Sequence, residues 1–475
     1  MTKTAPDFYK QLVESFPFEP TDTQNVLLLQ LAEFIFDKNA KSIFLLKGYA
    51  GTGKTTTIST VVKNLWKTGK KSVMLAPTGR AAKVISNYAG RQAFTIHKKI
   101  YHPRKAKNGG VNFVMQVNKH TNTYFIVDEA SMIPDTAANS KLFENGSLLD
   151  DLISYVYSGA GCKLILIGDT AQLPPVKLDV SPALDADKLA LNYNKDVTEL
   201  ELNEVMRQHS DSGILINATE LRMMLSGNGF FDFQFKLSFP DVVRLVDGYD
   251  IQDAITVAYD TNGVEDTAFI VRSNKRANQY NQQIRGKIRG QENEISSGDY
   301  IMVVKNNYFW LSDSSEAGFI ANGDICEILE IRSVKELYGF RFAEVKIRMV
   351  DYKNQSPFDT VILLDTLTSE TPSLTYEDSN RLYQEVAKDF EDEKSNYKKL
   401  LSIKKNKYFN ALQVKFSYAM TCHKSQGGQW KTVFIEQPYL PDGPSKEYLR
   451  WLYTALTRAQ EKLYLIGFKD DFFES

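Results

Sequence analysis

Cysteine is scarce in this sequence, and the three that occur exclude two kinds of protein. Among 475 residues they stand at Cys162, Cys326 and Cys422, far apart and in no metal-ligand spacing. Disulfide-stabilised secreted domains need dense cysteines, and structural zinc sites need closely spaced ones. A disulfide scaffold and a zinc site are therefore not expected, and a reducing compartment fits the composition.

Long apolar runs and a large net charge are also missing. No run reaches the roughly 20 apolar residues of a membrane span, and the N-terminus has no signal-peptide core. The 57 basic and 58 acidic residues give a net charge of −1. That balance excludes a chain that coats nucleic acid by bulk charge, although a local basic track stays open. We expect a cytoplasmic protein without a membrane partner.

The sequence is instead rich in alternating strand and helix patterns. Its length exceeds the roughly 250–300 residues at which one hydrophobic core stops growing, so several domains are expected. Near-continuous apolar runs predict strands buried in parallel sheets at 42–47, 72–76, 124–127, 163–167, 267–271, 431–435 and 462–466. Helical patterns lie at 54–67, 80–88 and 148–157. This alternation predicts doubly wound α/β domains.

Two segments break the alternation. Asn108-Gly109-Gly110 is a turn signal, and residues 111–117 alternate apolar and polar, which predicts a β-hairpin within 100–122. A plain surface excursion is the alternative. Short strand patterns between 295 and 364 predict a small β-barrel, and the charged stretch 376–407 is predicted to be helical.

A phosphate-binding loop follows the first predicted strand. Residues 48–55 read GYAGTGKT and match G-x-x-x-x-G-K-[ST] between a strand and a helix, the context the motif requires. Backbone amides and a helix N-terminus would surround phosphate oxygens, and the lysine would reach the β- and γ-phosphates. A glycine-rich turn with a chance lysine is the weaker alternative. The predicted nucleotide-binding residues are Gly48, Ala50, Gly51, Thr52, Gly53, Lys54, Thr55 and Thr56.

A pair of carboxylates ends the strand predicted at 124–127. In nucleotide hydrolases with a phosphate loop, an aspartate at this place holds Mg²⁺. We therefore predict Thr55 and Asp128 as metal ligands, and Glu129 as the group that orients and deprotonates the attacking water. A solvated turn is the alternative for the pair.

Further motifs appear in an order that resembles a known family. They are DEAS at 128–131, GDTAQLPP at 168–175, LNEVMRQ at 202–208, TCHKSQG at 421–427 and YTALTRA at 453–459. Together with the phosphate loop, they resemble superfamily 1 helicases, and more narrowly the 5′→3′ branch that contains the RecD and phage Dda helicases. KNNY at 305–308 and NGD at 322–324 extend the likeness to RecD-like chains.

The resemblance implies a fold and an activity. It implies two RecA-like α/β domains, the first at 1–98 and 123–198, the second at 199–290 and 412–475. A β-hairpin pin would occupy 99–122, and an insertion with a small SH3-like β-barrel and helices would occupy 291–411. The implied enzyme uses ATP and Mg²⁺, translocates 5′→3′ on single-stranded DNA, unwinds a duplex fork and is active as a monomer.

The resemblance also implies roles for single residues. Gln24 would read adenine, although a plain helix N-cap at Thr21 or Thr23 is the alternative. Gln172 would couple the γ-phosphate to DNA, Arg207 and Arg458 would act as arginine fingers, and Gly427 would lie at the nucleotide. The predicted DNA-binding residues are Pro77, Thr78, Arg80, Thr95, His97, Phe113, Thr421, His423 and Lys424.

Some details stay open at this point. Tyr308, Phe309, Trp310 and Trp430 could stack on bases or pack in the core. Gly428-Gln429-Trp430 and Gln460 depart from the family pattern, which leaves strand-binding details in doubt. Two rival functions also remain, a DNA-stimulated translocase that does not separate strands, and an ATPase that acts as a switch or loader.

Overall fold

The structure is a computed structural model. It describes residues 2–105, 111–135, 147–204, 212–227, 233–312, 315, 317–352 and 354–474. Up to residue 204 its helices and strands are α1 (Ala5–Glu14), α2 (Asp22–Phe36), β1 (Ser42–Gly48), α3 (Lys54–Leu65), β2 (Lys71–Ala76), α4 (Gly79–Ala89), β3 (Ala93–Thr95), α5 (Ile96–Ile100), β4 (Tyr101–Lys105), β5 (Val111–Met115), β6 (Thr123–Val127), α6 (Leu148–Ser158), β7 (Lys163–Gly168), α7 (Ala186–Tyr193) and β8 (Asp196–Leu202).

The first α/β domain is built on a six-stranded parallel sheet in the order β3-β2-β6-β7-β1-β8. The central strands β6 and β7 are buried along their whole length, as their apolar runs predict. Strand β8 reads DVTELEL and is largely accessible, because it lies at the edge of the sheet. Because polar residues interrupt its apolar ones, β8 contains no continuous apolar run, and it was not predicted from the sequence.

Sheet order places three loops together. Strands β6, β7 and β1 are neighbours and parallel, so their carboxyl ends meet at one edge of the sheet. The phosphate loop follows β1, Asp128 follows β6 and Asp169 follows β7. Ligands of open α/β sheets bind at this edge.

The predicted hairpin is present as a separate two-stranded ribbon. Strands β4 and β5 pair antiparallel, from Tyr101 opposite Met115 to Lys105 opposite Val111. The ribbon is fixed at its base, where the Gln116 amide N–H donates to the Ile100 carbonyl at 2.7 Å. Met115 packs against the apolar core of the first domain. The predicted turn at 108–110 lies outside the described residues.

A second α/β domain and a barrel make up the remainder. Their elements are α8 (Gly213–Ser226), β9 (Val242–Leu245), α9 (Gly248–Asn262), β10 (Thr267–Val271), α10 (Asn274–Gln283), β11 (Tyr300–Val303), β12 (Ile325–Leu337), β13 (Phe340–Met349), β14 (Phe358–Leu363), α11 (Tyr376–Lys388), α12 (Asn396–Lys405), β15 (Leu412–Phe416), β16 (Ala419–Thr421), α13 (Cys422–Ser425), β17 (Trp430–Glu436), α14 (Lys446–Leu456) and β18 (Ala459–Ile466).

The second sheet is five-stranded and parallel, in the order β16-β10-β17-β18-β9. Between α10 and β16 the chain leaves this sheet and forms a closed barrel of β11, β12, β13, β14 and β15. The barrel closes only at residues 412–416, where β15 pairs antiparallel with β11 and parallel with β14. The predicted fold class, two RecA-like sheets with a hairpin and a small barrel, is confirmed.

The barrel and the second sheet share one apolar core, in which Ile301, Val345 and Val414 of the barrel cluster with Phe269 and Phe434 of the sheet. The charged stretch after β14 folds into α11 and α12, as predicted, and its apolar side chains Leu382, Val386 and Ile403 cover Phe342 of the barrel. Among the described residues, no helix is both long enough and apolar enough to cross a membrane.

Candidate functional site

The phosphate loop has the backbone that its glycines predict. Gly51 and Gly53 adopt φ of 75° and 84°, values that residues with a Cβ rarely adopt, and Gly53 is the N-cap of α3. The Lys54 ammonium donates to the Gly48 carbonyl at 2.6 Å and to the Tyr49 carbonyl at 2.7 Å. The lysine therefore folds back over the loop that it is predicted to serve.

The remaining loop residues lie around this turn. Thr52 is buried, and its hydroxyl donates to the Tyr49 carbonyl at 2.9 Å. Thr55 and Thr56 stand in the first turn of α3. Lys54, Thr55 and Asp128 line one small cavity at the edge of the first sheet. The structure thus brings the two predicted metal ligands and the predicted phosphate-binding lysine together.

The two predicted carboxylates differ in setting. The Asp128 carboxylate accepts the Glu129 amide N–H at 2.9 Å. Burial raises the pKa of Asp128, and the neighbouring Glu129 carboxylate raises it further. Glu129 adopts φ of 53°, in the left-handed region that residues other than glycine rarely adopt. Backbone strain of this kind is concentrated at active sites and ligand clamps.

Arg458 comes from the second domain and faces Glu129. Its guanidinium stands 3.8 Å from the Glu129 carboxylate. The same group donates to the Thr454 carbonyl at 3.0 Å and the Gly428 carbonyl at 3.3 Å. Arg458 is only 3% exposed, so these bonds fix a buried cation beside the predicted catalytic carboxylate. Arg207 lies outside the described residues, and its role stays a prediction.

Gln24 fits both of its interpretations in part. Thr21 is the N-cap of α2, and the Gln24 side chain completes a capping box by accepting the Thr21 amide N–H at 3.1 Å. The other end of the same carboxamide donates to the Thr52 carbonyl at 3.0 Å. Gln24 therefore contacts the phosphate loop while it caps the helix, and its adenine role stays a prediction.

The segment after β7 joins the two domains. The Asp169 carboxylate accepts the Tyr453 hydroxyl at 2.7 Å. The Leu173 amide N–H donates to the Thr454 hydroxyl at 2.8 Å, and its carbonyl accepts the Gln426 carboxamide at 2.7 Å. Gln172 lies between Asp169 and Leu173 in the sequence. It is buried, and its Oε1 has no hydrogen-bond partner. An unsatisfied buried acceptor calls for a functional explanation, and the predicted coupling role would supply one.

The predicted DNA-binding residues of the first domain lie at helix starts. Pro77 directly follows β2, and the Thr78 hydroxyl caps α4 by accepting the Ala81 amide N–H at 3.2 Å. The Thr95 hydroxyl caps α5 in the same way, accepting the Lys98 amide N–H at 3.2 Å. Burial lowers the pKa of His97 to about 4, so its ring is neutral at pH 7.

Arg80 and Trp430 explain one departure from the family pattern. The Arg80 guanidinium carbon lies 4.1 Å from the centroid of the Trp430 ring, a cation–π contact between the domains. Trp430 is 2% exposed, so it packs in the core and does not offer a face to a base. Gln460 donates to the Gln429 carboxamide at 2.9 Å on the same surface. Trp430 therefore serves the contact between the domains, whereas Gln429 and Gln460 bond each other within the second domain.

The other aromatics differ in exposure. Tyr308 packs against the first-domain core and Phe319, and the Trp310 indole N–H donates to the Asn410 carbonyl at 2.8 Å. Phe309 is 38% exposed and remains accessible for stacking. The side chain of Phe113 lies outside the described residues, so its predicted contact with a base pair stays a prediction.

The predicted DNA-binding segment of the second domain presents a cation. Thr421 and His423 are accessible at the start of α13. Burial lowers the pKa of Lys424 to about 8. Gly427 has φ of 73° and lies against α4, where a Cβ would stand 2.8 Å from the Ala81 Cβ. It therefore contacts the first domain on the Thr78 side, and its predicted place at the nucleotide is untested.

Comparison with known proteins gives two family matches. Residues 32–223 match a model described as an AAA domain, and residues 416–466 match the UvrD-like helicase C-terminal domain. The ATP-dependent DNA helicase dda of Enterobacteria phage T4 is 24% identical over 468 residues, which cover 90% of this chain and 95% of that protein. The resemblance to superfamily 1 helicases is confirmed.

Other similar proteins are more partial or more distant. The ATP-dependent RecD2 DNA helicase of Deinococcus radiodurans is 30% identical over 174 residues, 36% of this chain and 21% of that protein. The solved structure of a Pif1 helicase from Bacteroides, in complex with ADP-AlF3 and ssDNA, is also similar. The match covers 96% of this helicase-like chain and 95% of the Pif1 chain. Its TM-score of 0.47 and 14% identity are too low to support an inference.

The sequence interpretation did not single out Asp169, Gln426, Tyr453 and Thr454 of this helicase-like chain. All four lie inside motifs that carry the resemblance. A tyrosine and a threonine have no obvious role in phosphoryl transfer, so residue type alone does not single out Tyr453 and Thr454. Their role follows only from the contacts that they make between the domains.

Proposed function

We propose that this protein is an ATP-dependent DNA helicase that translocates 5′→3′ on single-stranded DNA and unwinds duplex DNA as a monomer. One observation carries the proposal. Arg458 of the second domain stands 3.8 Å from Glu129 of the first, at the edge of the sheet that also holds the phosphate loop. An ATPase whose site is completed by a second domain can convert hydrolysis into movement between the domains.

The chemistry follows from the residues at this edge. Lys54 and the loop amides would hold the β- and γ-phosphates of ATP, and Glu129 would orient the attacking water. Arg458 would stabilise the charge that spreads over the transferred phosphoryl group. Because Arg458 and Glu129 belong to different domains, this arrangement exists only while the cleft is closed.

Mg²⁺ fits the donors that are present. The Thr55 hydroxyl and the Asp128 carboxylate line one cavity, and Mg²⁺ is commonly held by one or two carboxylates together with substrate phosphates. Among the described residues, no group of three or more His, Cys, Asp or Glu could hold a metal by itself. When bound, Mg²⁺ would neutralise charge on the β- and γ-oxygens of ATP.

Movement at the nucleotide would reach DNA through the residues that join the domains. Gln426, which contacts Leu173, belongs to the segment 421–427 that contains the predicted strand-binding residues Thr421, His423 and Lys424. Thr78 and Thr95 would hold the strand on the first domain. Hydroxyls and a few cations bind phosphates without reading bases, which suits a motor that must act on any sequence.

Strand displacement on tailed duplexes tests the proposal. We expect ATP-dependent separation of a duplex with a 5′ single-stranded tail and little separation with a 3′ tail. The matched control is Lys54→Ala, which should separate neither. Preference for the 3′ tail would overturn the polarity. ATPase stimulated by oligo-dT without separation of either substrate would favour a translocase, and ATPase indifferent to oligo-dT would favour a switch or loader.

A further inference from the structure

The hydroxyl of Tyr453 joins three segments that are far apart in the chain. It accepts the Ala50 amide N–H of the phosphate loop at 3.0 Å and donates to the Asp169 carboxylate at 2.7 Å. Tyr453 itself belongs to α14 of the second domain and is 1% exposed. One buried hydroxyl thus bonds the loops after β1 and β7 to a helix of the other domain.

The hydrogen-bond partners of the Tyr453 hydroxyl restrict its position. The second oxygen of Asp169 accepts the Ala171 amide N–H at 2.9 Å, which fixes the carboxylate. Burial and the Asp169 charge raise the pKa of Tyr453, so the phenol keeps its proton and remains a donor. Hydrogen bonds to charged groups in a buried setting are stronger than neutral ones. The orientation of α14 at this point is therefore closely tied to the phosphate loop.

The same residue is connected to Arg458 through the end of α14. The Tyr453 carbonyl accepts the Thr457 amide N–H at 3.0 Å and the Thr457 hydroxyl at 2.8 Å. The Thr457 hydroxyl in turn accepts the Arg458 guanidinium at 3.2 Å. A displacement of the Tyr453 end of this turn would therefore displace the arginine.

We propose that Tyr453 is a positioning residue for ATP hydrolysis: its hydroxyl anchors α14 to the phosphate loop and to Asp169, and thereby sets where Arg458 stands beside Glu129. The inference rests on the proposed function, in which Arg458 completes the ATPase site. Tyr453 does not contact the reacting atoms in this scheme. It acts through Arg458, and it makes the position of the arginine depend on the phosphate loop of the other domain.

The alternative is that Tyr453 only packs, since its ring belongs to the apolar core of the second domain. Tyr453→Phe distinguishes the packing role of the ring from the positioning role of the hydroxyl, because it keeps the ring and removes the hydroxyl. The same helix offers a matched control. Tyr448 is also fully buried, and its hydroxyl donates to the Gln437 carboxamide at 2.7 Å, within the second domain. Tyr448→Phe is the same chemical change without a contact to the first domain.

The experiment measures oligo-dT-stimulated ATPase of the full chain, with kcat and the KM for ATP determined separately. We expect Tyr453→Phe to lower kcat by roughly 10- to 100-fold, the effect of losing a hydrogen bond to a charged group, and to change KM by less than about threefold. Tyr448→Phe should stay within about twofold of the wild type in kcat, and thermal unfolding should show that both variants fold.

A double-mutant cycle tests the route through the arginine. In an Arg458→Ala background, Tyr453→Phe should lower kcat by less than about twofold, because the group that it positions is gone. Equal kcat values for Tyr453→Phe and Tyr448→Phe would overturn the inference, and so would a full additional loss in the Arg458→Ala background. A wild-type chain without ATPase would overturn the proposed function and this inference with it. Wild-type ATPase without unwinding would overturn only the helicase proposal.

Discussion

Glu129 combines an unusual backbone with a charged neighbour. A residue other than glycine in the left-handed region, here at φ of 53°, costs roughly 1–3 kcal/mol and persists only where the surroundings impose it. The Asp128 carboxylate bonds the Glu129 amide, and Arg458 faces the Glu129 side chain. The strained turn therefore presents one carboxylate to the cleft between the domains.

Glu129→Gln should separate ATP binding from hydrolysis. The amide keeps the shape of the side chain but cannot accept a proton, so ATP turnover should fall by about 10²- to 10⁴-fold, the range for losing a general base. Binding of a fluorescent ATP analogue should persist. Lys54→Ala is the contrasting control, since it removes the charge that meets the phosphates and should weaken binding as well. Wild-type turnover in Glu129→Gln would remove Glu129 from the catalytic role.

Lys424 should make single-strand affinity depend on pH. Burial lowers the pKa of this ammonium to about 8. Contact with a DNA phosphate would favour the charged form, so binding is strongest below pH 8 and weakens as the amine loses its proton above it. We expect the affinity for oligo-dT, followed by fluorescence anisotropy, to fall by roughly tenfold between pH 7 and pH 9.

Lys424→Arg is the control for this pH dependence. A guanidinium stays charged throughout this range, so the variant should lose much of the fall in affinity. Lys424→Ala should bind weakly at both pH values. A pH profile that is the same in the wild type and in Lys424→Arg would show that another group titrates.

At the scale of elements, the ribbon of β4 and β5 is the feature predicted to distinguish a helicase from a translocase that does not separate strands. It is a two-stranded sheet outside the parallel sheet, anchored at its base by Gln116 and Met115. Two strands alone are marginally stable, so such a ribbon depends on the domain from which it projects. Its predicted task is to meet the first base pair of the duplex, where stacking of an aromatic is worth about 1–3 kcal/mol.

Replacing residues 108–114 with a short Gly-Ser linker tests that task. The ribbon lies outside the nucleotide site, so oligo-dT-stimulated ATPase should stay near the wild-type rate. Strand displacement on a 5′-tailed duplex should collapse, because translocation would continue without a pin. The ATPase of the same variant is the internal control. A parallel loss of both activities, or unwinding that survives, would contradict the pin assignment.

The elements themselves differ in how far the sequence predicts them. Strands β1, β2, β6 and β7 were predicted from apolar runs, because a strand that is buried on both faces reads as a near-continuous run of apolar residues. Edge strands such as β8 expose one side and read as ordinary polar sequence. Strand β15 was also missed as part of the barrel, because it pairs with β14 and with β11, and Ile301 of β11 lies opposite Phe416, more than a hundred residues further along the chain.

For the whole molecule, the decisive feature is a contact surface between the two parallel sheets. Tyr453, Thr454 and Gln426 hold the segment 169–173 by direct hydrogen bonds. Arg80 lies over Trp430 at another point of the same surface. The predicted nucleotide-binding and DNA-binding segments are thus linked through side chains of both domains.

Local chemistry explains what the sequence determined by itself. The phosphate loop needs glycines, a lysine and a helix start within eight residues, and Asp128 needs only the strand before it. These requirements act between near neighbours, so they are written in short motifs. The ordered motifs further indicated the two α/β domains through their resemblance to superfamily 1 helicases.

Only the tertiary structure decided which distant residues meet. Ala50 and Tyr453 are 403 positions apart, and nothing in either local sequence indicates that a tyrosine hydroxyl bonds the phosphate loop. Trp430 likewise reads as a possible base-stacking residue until Arg80 is seen to cover its ring. Such contacts depend on strand order in two sheets and on how the sheets face each other. The sequence therefore determined the chemistry of each loop, and the packing of the domains decided which loops work together.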